Sequence, residues 1–528
     1  MPSRVLISDP LAQPGLDLLQ DAGFDVDVRT GLTPAELITT IPAYDALIIR
    51  SGTQVTGAVI AAADRLKVIA RAGVGLDNVD IPAATQRGVT VVNAPTGNVA
   101  AAAEHALALL MALARNIPAA QQSMARGEWN RKTFMGVELR EKTLGLVGLG
   151  RVASQLAHRA RGLSMRLLAY DPYVSSEYAG NLGVELVELD YLMAESDFIS
   201  VHLPLSEQTR GLIGAKQLAL CKPTVRIVNT ARGGIIHEDA LLAALDRNQV
   251  AGAALDVFVH EPLEADSPLR FHPKVIVTPH IGGSTNEAQH QVALDAASQV
   301  IDVLAGRPAR YAVNAPLIPG AHIEFVAPFI ALVEILGRFL TQYKPMQVHE
   351  VELVVHGPLA EYDTTILQAA ALRGLLADVV EEQVNIVNAD LIAQRRGIIV
   401  SERRQRHHYE RFENMVTLKV RSESEFTKVR GSILAGEPYI VAIEDLWVDF
   451  PAEGHFLLSW HHDKPGVIGQ IGMLLGERDI NIAFMHVGRR TPRGEAIMVI
   501  HTDESIPPEL VPQIDAIIGT HQTCILTL

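Results

Sequence analysis

Between Lys142 and Pro172 the chain reads KTLGLVGLGRVASQLAHRARGLSMRLLAYDP, and that order leaves little freedom in how it folds. Apolar Leu144, Leu146 and Val147 run into Gly148, Leu149 and Gly150; a helical stretch follows, and a second apolar run ends at Asp171. Strand, tight turn, helix and strand is the context that gives a G-x-G-x-x-G/A pattern its meaning. The glycines let the backbone turn sharply and let a pyrophosphate reach amides at a helix N-terminus, where the dipole favours negative charge. Ala153 takes the third position and is small enough for close helix–strand packing. Asp171, about 20 residues past the turn, is spaced to accept from both hydroxyls of an adenosine ribose. Its charge repels a 2'-phosphate, and Pro172 and Tyr173 supply no arginine to hold one. A bare glycine match would be an ordinary turn; this one predicts an NAD site.

The chain's 528 residues suggest about three or four domains. A hydrophobic content of 48% with 20% charged residues suits a soluble protein with real cores. The net charge of −15 disfavours nucleic acid and anionic membrane as partners, so a phosphate-bearing ligand needs a local basic cluster. Cys221 and Cys524 lie far apart without C-x-x-C spacing, which suggests a reducing compartment and neither a metal site nor a disulfide framework. The start, MPSRVLISDP, lacks a basic stretch followed by an apolar one. Val99–Ala114, the most apolar long segment, carries Glu104 and His105 and is too short to span a bilayer. The expected address is cytoplasmic.

Short apolar strands alternate with helical stretches over residues 5–93, which implies a doubly wound parallel sheet. A long Ala/Leu-rich helix, Asn98–Arg115, crosses into the nucleotide half, whose strands continue to Thr278. A helix over Glu287–Leu304 is expected to return to the first sheet, with hinges near 94–98 and 283–290. Arg307–Pro328 carries four prolines and reads as a linker. Residues 329–450 mix helix and strand; the basic run Arg395–Arg411 reads as a solvated face rather than an anion site. The tail from 455 reads βαββαβ, the order of a ferredoxin-like domain.

Three polar residues stand just past strands of the nucleotide half: Arg232, Glu261 and His280. Ligands of open α/β sheets sit outside the carboxyl ends of strands, so the three can converge on one crevice. Oxidising an alcohol by hydride transfer needs a base for the hydroxyl proton, and histidine titrates nearest neutrality. A carboxylate beside it fixes its tautomer, and a guanidinium can grip a substrate carboxylate through two parallel hydrogen bonds. Each residue taken alone is equally at home in an ordinary surface contact.

The segments NTARGGIIHEDAL, AALDVFVHEPL and VTPHIGGST resemble the three signatures of the D-isomer-specific 2-hydroxyacid dehydrogenases. The resemblance implies that Arg232, Glu261 and His280 are catalytic. It implies NAD contacts at Gly148, Gly150, Arg151, Val152, Asp171, Thr230, Ala231 and Arg232, then at Asp256, His280, Ile281, Gly282 and Gly283. IIRSGTQVT, RAGVGLDNVDI and NAPTGN are similar to the substrate segments of the long members of that family, which oxidise 3-phosphoglycerate and supply serine synthesis. On that likeness Arg50, Ser51, Gly52, Arg71, Gly73, Val74, Gly75, Asn98 and Arg131 are substrate candidates. Arg131 belongs to WNRKTFMGVEL, a basic insertion that in those members meets a neighbouring subunit's active site. WHHDKPGVIGQIG and RDINIA resemble the effector loop of amino-acid-binding ACT domains, with His461, Asp463 and Asn481 as candidates for L-serine as effector. Gly52 stands where alanine is usual in the family, a small-for-small exchange.

The implied architecture is α/β, with two doubly wound parallel-sheet domains. These are a flavodoxin-like substrate domain (1–97 and 284–310) and a Rossmann NAD domain (98–283). An α+β linker domain (317–450) and a ferredoxin-like ACT domain (455–528) complete a homotetramer. The nearest alternatives are a glyoxylate or hydroxypyruvate reductase, and a non-catalytic NAD-sensing module.

Overall fold

The computed structural model describes residues 2–316, 322–380, 382–409, 411–518 and 523–528, without the side chains of Ile323 and Ile518. Five strands, β1 (Arg4–Ile7), β2 (Asp25–Val28), β3 (Ala46–Ile49), β4 (Val68–Arg71) and β5 (Thr90–Asn93), form an all-parallel sheet in the order β2-β1-β3-β4-β5. A second sheet holds β6 (Thr143–Val147), β7 (Arg166–Tyr170), β8 (Glu185–Leu186), β9 (Phe198–Val201), β10 (Arg226–Asn229), β11 (Gly252–Leu255) and β12 (Val275–Val277). Its order is β12-β11-β10-β9-β6-β7-β8, again all parallel. Runs such as ALII in β3 and TLGLV in β6 are buried at every position. Sheets covered by helices on both faces need such continuous apolar strands. These are the two doubly wound orders, and each puts its ligand crevice where the strand order reverses.

Two segments join the halves. Helix Val99–Arg115 carries Ala103, Ala106, Leu110 and Leu113 into the core of the second sheet. Helix Asn286–Leu304 returns, burying Val292, Ala296 and Val300 with Val5, Ile48 and Val92 of the first. The linker expected over Arg307–Pro328 is corrected on both sides of 317–321, which lie outside the described residues. Before them, Val313 N–H donates to Val91 O at 2.8 Å, so the chain is held along β5. After them, helix Ile323–Tyr343 begins with Pro328 inside it. That helix is held by tertiary packing, because its apolar face lies in the largest core of the chain. It crosses helix Thr365–Leu376 where Gly337 meets Ala371 O and Gly374 meets Glu334 O, closer than any Cβ would allow.

β13 (Glu350–His356), β14 (Ile399–Gln405), β15 (Met415–Arg421), β16 (Phe426–Leu434), β17 (Glu437–Ile443) and β18 (Leu446–Pro451) make a mixed sheet. β14 is an edge strand, and its exposed Arg403 and Arg404 pair with Glu352 and Glu402. β19 (His455–His462), β20 (Ile482–Arg489), β21 (Glu495–Thr502) and β22 (Thr523–Thr527) make an antiparallel sheet in the βαββαβ order. The two are not independent bodies. Phe456, Leu458, Ile497, Val499 and Leu526 share one core with Leu332, Leu336 and Phe450. Gln342 exchanges two hydrogen bonds with the Thr527 backbone, and Trp460 Nε1–H donates to Tyr343 at 2.6 Å.

Candidate active site in the cleft between the parallel sheets

The carboxyl ends of β3, β4, β10, β11 and β12 meet at one cavity of about 810 Å³ between the two parallel-sheet halves. Arg50, Arg71, Arg232, Glu261 and His280 all line it. His280 Nδ1 lies 2.6 Å from Glu261 Oε2, and Phe258 N–H donates to Glu261 Oε1 at 3.0 Å. A carboxylate only accepts, so Nδ1 carries the proton and Nε2 keeps its lone pair. Burial pushes the Glu261 carboxyl up, but the bonds from His280 and Phe258 N–H outweigh it and hold the group below the ordinary range. His280 sits at φ +54°, a left-handed conformation uncommon for a non-glycine residue.

Asp256 holds residues on either side of His280. Its fully buried carboxylate accepts from Thr278 Oγ1 (2.6 Å), Ile281 N–H (2.9 Å) and Gly282 N–H (2.8 Å). Implied by the resemblance as an NAD contact, Asp256 also anchors the strap from Thr278 to Gly283. Asn229 does the same for the Arg232 turn, accepting from Ala231 N–H and donating to Arg232 O. Arg232 Nε–H in turn donates to Asp77 Oδ2 at 3.2 Å.

The opposite wall is cationic. Asn78, buried, donates to Arg50 O (2.7 Å) and Thr53 O (2.6 Å), while Asp9 accepts from Arg50 N–H at 2.6 Å. The backbone at Arg50 and Thr53 is thus fixed by two buried side chains, yet Arg50 Nε and Arg71 Nε and Nη1 are buried without a partner. Burial first, then the neighbouring Arg232, pulls the Arg71 guanidinium down to about 10, partly offset by Asp77. A Cβ added at Gly52 would lie 2.5 Å from Asp9 Oδ1, so alanine there would displace Asp9; the exchange is not neutral as expected. Gly73 N–H is spent on Arg71 O, which leaves Val74 and Gly75 as the loop's donors toward the cavity.

The turn after β6 fits a dinucleotide. Gly148 is at φ +94°, and a Cβ there would strike Leu203 and His202 O. Helix Arg151–Gly162 starts at Gly150, beside which a Cβ would meet nothing within 4 Å. That open approach to a helix N-terminus suits a pyrophosphate. Asp171 is aimed by Leu149 N–H (2.8 Å) and Tyr173 N–H (3.0 Å), one on each oxygen, leaving lone pairs for ribose hydroxyls. Thr230 Oγ1 is buried without a partner beside the Arg232 turn. Val152 is partly buried behind the turn, and Arg151 reaches Pro95 O across the hinge. Ile281 is exposed, and Asn98 packs on Gly283.

Four expected residues stay apart from these. Arg131 lies on an exposed segment outside the cavity lining. His461 is buried, and Asp463 is paired with Arg489 at one end of the last sheet. Asn481 lies at the other end, bonded to Asp503 and Glu504, so one chain does not bring the three together. Sequence reasoning missed Asp9, Asp77, Asn78 and Asn229. All stand within a few residues of the carboxyl end of a cleft strand or in the loop facing it, the signal that found the charged trio. Among the described residues no cluster of metal-ligating side chains occurs, and no helix is long and apolar enough to cross a membrane.

Comparison with known proteins places three family models on the chain. Residues 107–282 match the D-isomer specific 2-hydroxyacid dehydrogenase NAD binding domain, 325–444 the D-3-phosphoglycerate dehydrogenase intervening domain, and 455–519 the ACT domain. The D-3-phosphoglycerate dehydrogenase of Synechocystis is 45% identical over 98% of this chain and 93% of its own length. That of Archaeoglobus fulgidus is 42% identical over 98% of both. Among solved structures, a protein from Thermus thermophilus is 34% identical with a TM-score of 0.56, covering 59% of this chain and 99% of its own. Apo D-lactate dehydrogenase from Escherichia coli covers the same shares at 29% identity and a TM-score of 0.53.

Proposed function

Because the chain belongs to the D-3-phosphoglycerate dehydrogenase family, we propose that it oxidises 3-phospho-D-glycerate to 3-phosphooxypyruvate with NAD, opening serine synthesis. The observation that carries this is the pairing of His280 with Glu261 in one cavity with Arg232 and two unsatisfied arginines. NAD, when bound at the Gly148–Asp171 turn, supplies the hydride acceptor. His280 Nε2 takes the hydroxyl proton; Glu261 holds the ring in the tautomer that allows it. Arg232 grips the carboxylate and, in the reverse direction, polarises the carbonyl being reduced. Arg71 and Arg50 meet the remaining charge, with the amides of Val74 and Gly75 beside them. A substrate carrying both a carboxylate and a phosphate matches a pocket lined by four arginines, Arg50, Arg71, Arg232 and Arg270, against two acids, Asp77 and Glu261.

The domain assignment goes with this reading: residues 1–97 and 284–310 bind substrate, 98–283 bind NAD, 317–450 intervene and 455–528 regulate. Serine is the proposed effector, in a site that needs a second chain, since Asp463 and Asn481 sit at opposite ends of one sheet. That requirement, with Arg131 displayed away from its own cleft, supports a homotetramer. A cytoplasmic location is part of the proposal, supported by two unpaired cysteines. The test is a steady-state comparison of 3-phosphoglycerate with unphosphorylated 2-hydroxy acids. A kcat/KM ratio below about tenfold, about 1.4 kcal/mol, sinks the phosphate assignment.

A further inference from the structure

His105 has no role in the reading above, yet it sits behind the strap that carries His280. Its Nε2 lies 3.2 Å from Thr278 Oγ1 and 3.3 Å from Asp256 Oδ1, and its side chain is largely buried. The protonation pattern follows from the partners. The Asp256 carboxylate can only accept, and Thr278 gives its own hydroxyl proton to Asp256 Oδ1 at 2.6 Å. Both neighbours of Nε2 are therefore acceptors, so His105 Nε2 carries a proton and shares it between them. The bond closes a triangle of three side chains from three elements: the hinge helix, the end of β11 and the end of β12.

The helix face matters as much as the bond. Asn98 and His105 are seven residues apart, two turns of helix, and therefore lie on one face. Asn98 Nδ2 would be 2.9 Å from a Cβ on Gly283, and His105 Cδ2 would be 3.8 Å from one on Gly282. Consecutive strap residues thus touch two points on the same helix face. The strap also leads into the helix that returns to the substrate half, where Gln289 Nε2–H donates to Gly283 O at 2.8 Å. Asp256 ties the strap to the end of β11, and His105 ties it also to the hinge helix, against movement of that returning helix.

We propose that His105 is a positioning residue for His280. Its shared Nε2–H, acting through Thr278 and Asp256, fastens the 278–283 strap to the hinge helix and keeps the imidazole registered with the nucleotide half wherever the substrate half stands. The inference rests on the dehydrogenase reading. Displacing a proton-transferring group by about 1 Å costs on the order of 10²-fold in rate without removing binding. His105→Phe keeps the ring volume and deletes the donor; His105→Gln puts an amide N–H near the position of Nε2. The experiment measures kcat and KM of the full-length enzyme, NADH affinity by fluorescence and the thermal midpoint for both variants. For H105F the expected result is a kcat loss of about 10- to 100-fold, with KM and NADH affinity within about threefold of wild type. H105Q should recover most of the lost kcat. An H105F kcat within about twofold of wild type overturns the proposal, as does an H105Q as impaired as H105F. Should H105F fail to fold, His105→Ala takes its place under the same criteria. A wild type without turnover would sink both readings, whereas an active wild type with an indifferent H105F sinks this one alone.

Discussion

The two walls of the cleft follow opposite electrostatic plans. On the nucleotide side Glu261, Asp256 and Asn229 each have their hydrogen bonds already made, and His280 is held in its tautomer before anything binds. On the substrate side Arg50 and Arg71 carry buried donors without partners, and Arg71 is pulled down to about 10 by burial and by Arg232. Around His280 the first wall is finished, with Thr230 Oγ1 left buried without a partner; the other is an anion hole held open at a cost in stability. Proton transfer needs geometry fixed in advance, while discrimination for a polyanion needs charge that only the right ligand satisfies. Mutations on the two walls should therefore fail differently.

The largest effect belongs to the finished wall. His280→Ala should lower kcat by about 10²- to 10⁴-fold while NADH affinity barely moves, since it removes the proton acceptor and little binding surface. Glu261→Gln should cost less in rate and also change the acid side of stability. A carboxyl held below its ordinary value of 4.5 stabilises the fold above that value, and the contribution is lost as pH falls through the lowered one. Thermal midpoints measured from about pH 7 down to about pH 3 should show an acid decline that is shallower in E261Q. An unchanged decline would mean that Glu261 is not the paired group.

The open wall predicts the reverse combination. Arg71→Met should lower kcat/KM for 3-phosphoglycerate by about 10- to 100-fold, the worth of a charged hydrogen bond. The same change should raise the thermal midpoint of the ligand-free protein. A buried base with a lowered pKa is one whose charged form the fold disfavours, so a neutral side chain of similar length relieves on the order of 1 kcal/mol. Scanning calorimetry without ligand checks the sign. A destabilised, inactive R71M would show that Arg71 is structural, and the contrast between the walls would collapse. A smaller effect is expected at the nucleotide turn, where Asp171→Asn should cost NAD about tenfold in kcat/KM and relax the bias against a 2'-phosphate.

Much of this was legible in the chain because parallel strands announce themselves. Buried runs such as ALII and TLGLV alternate with helices, and charged residues such as Arg232 and His280 stand directly after such strands. What escaped was polar and indirect. Asn229 and Asn78 act on backbone carbonyls, a job that any buried asparagine can do and that no spacing marks. Asp256 suits a ligand contact by residue type and strand-end position; its bonds to the backbone of Ile281 and Gly282 add an anchoring role that no spacing marks. Pro328 misled for a different reason. Proline is unfavourable within a helix by local propensity, and here an apolar face packed into the largest core overrides it. The effector candidates resemble one loop in sequence, yet the register of β20 on β21 separates Asn481 from Asp463 by the length of a strand.

The smallest predicted effect is the one that separates catalysis from the C-terminal third. Sequence alone suggests dividing the chain at 455, where the ACT tail begins. The packing argues against that cut, because Phe456, Leu458, Ile497, Val499 and Leu526 fill the same core as Leu332 and Leu336. Removing 455–528 would expose this apolar surface and the helix Ile323–Tyr343 beneath it, inviting aggregation for reasons unrelated to regulation. Ending the chain at Ala315 or Pro316 is the cleaner cut. The cavity and its lining residues lie wholly before that point, and residues 311–314 are already held along β5. One bond that crosses to the later residues, Asn385 Nδ2–H to Gly88 O at 2.7 Å, meets a residue that does not line the cleft. Solved structures that match 59% of this chain use 99% of their own length to do so, so a fold of that size stands without the rest. The shortened chain should keep kcat within about threefold and lose any response to serine. A shortened chain that binds NADH but turns over far more slowly would show that the cleft's two walls depend on the C-terminal third for their spacing.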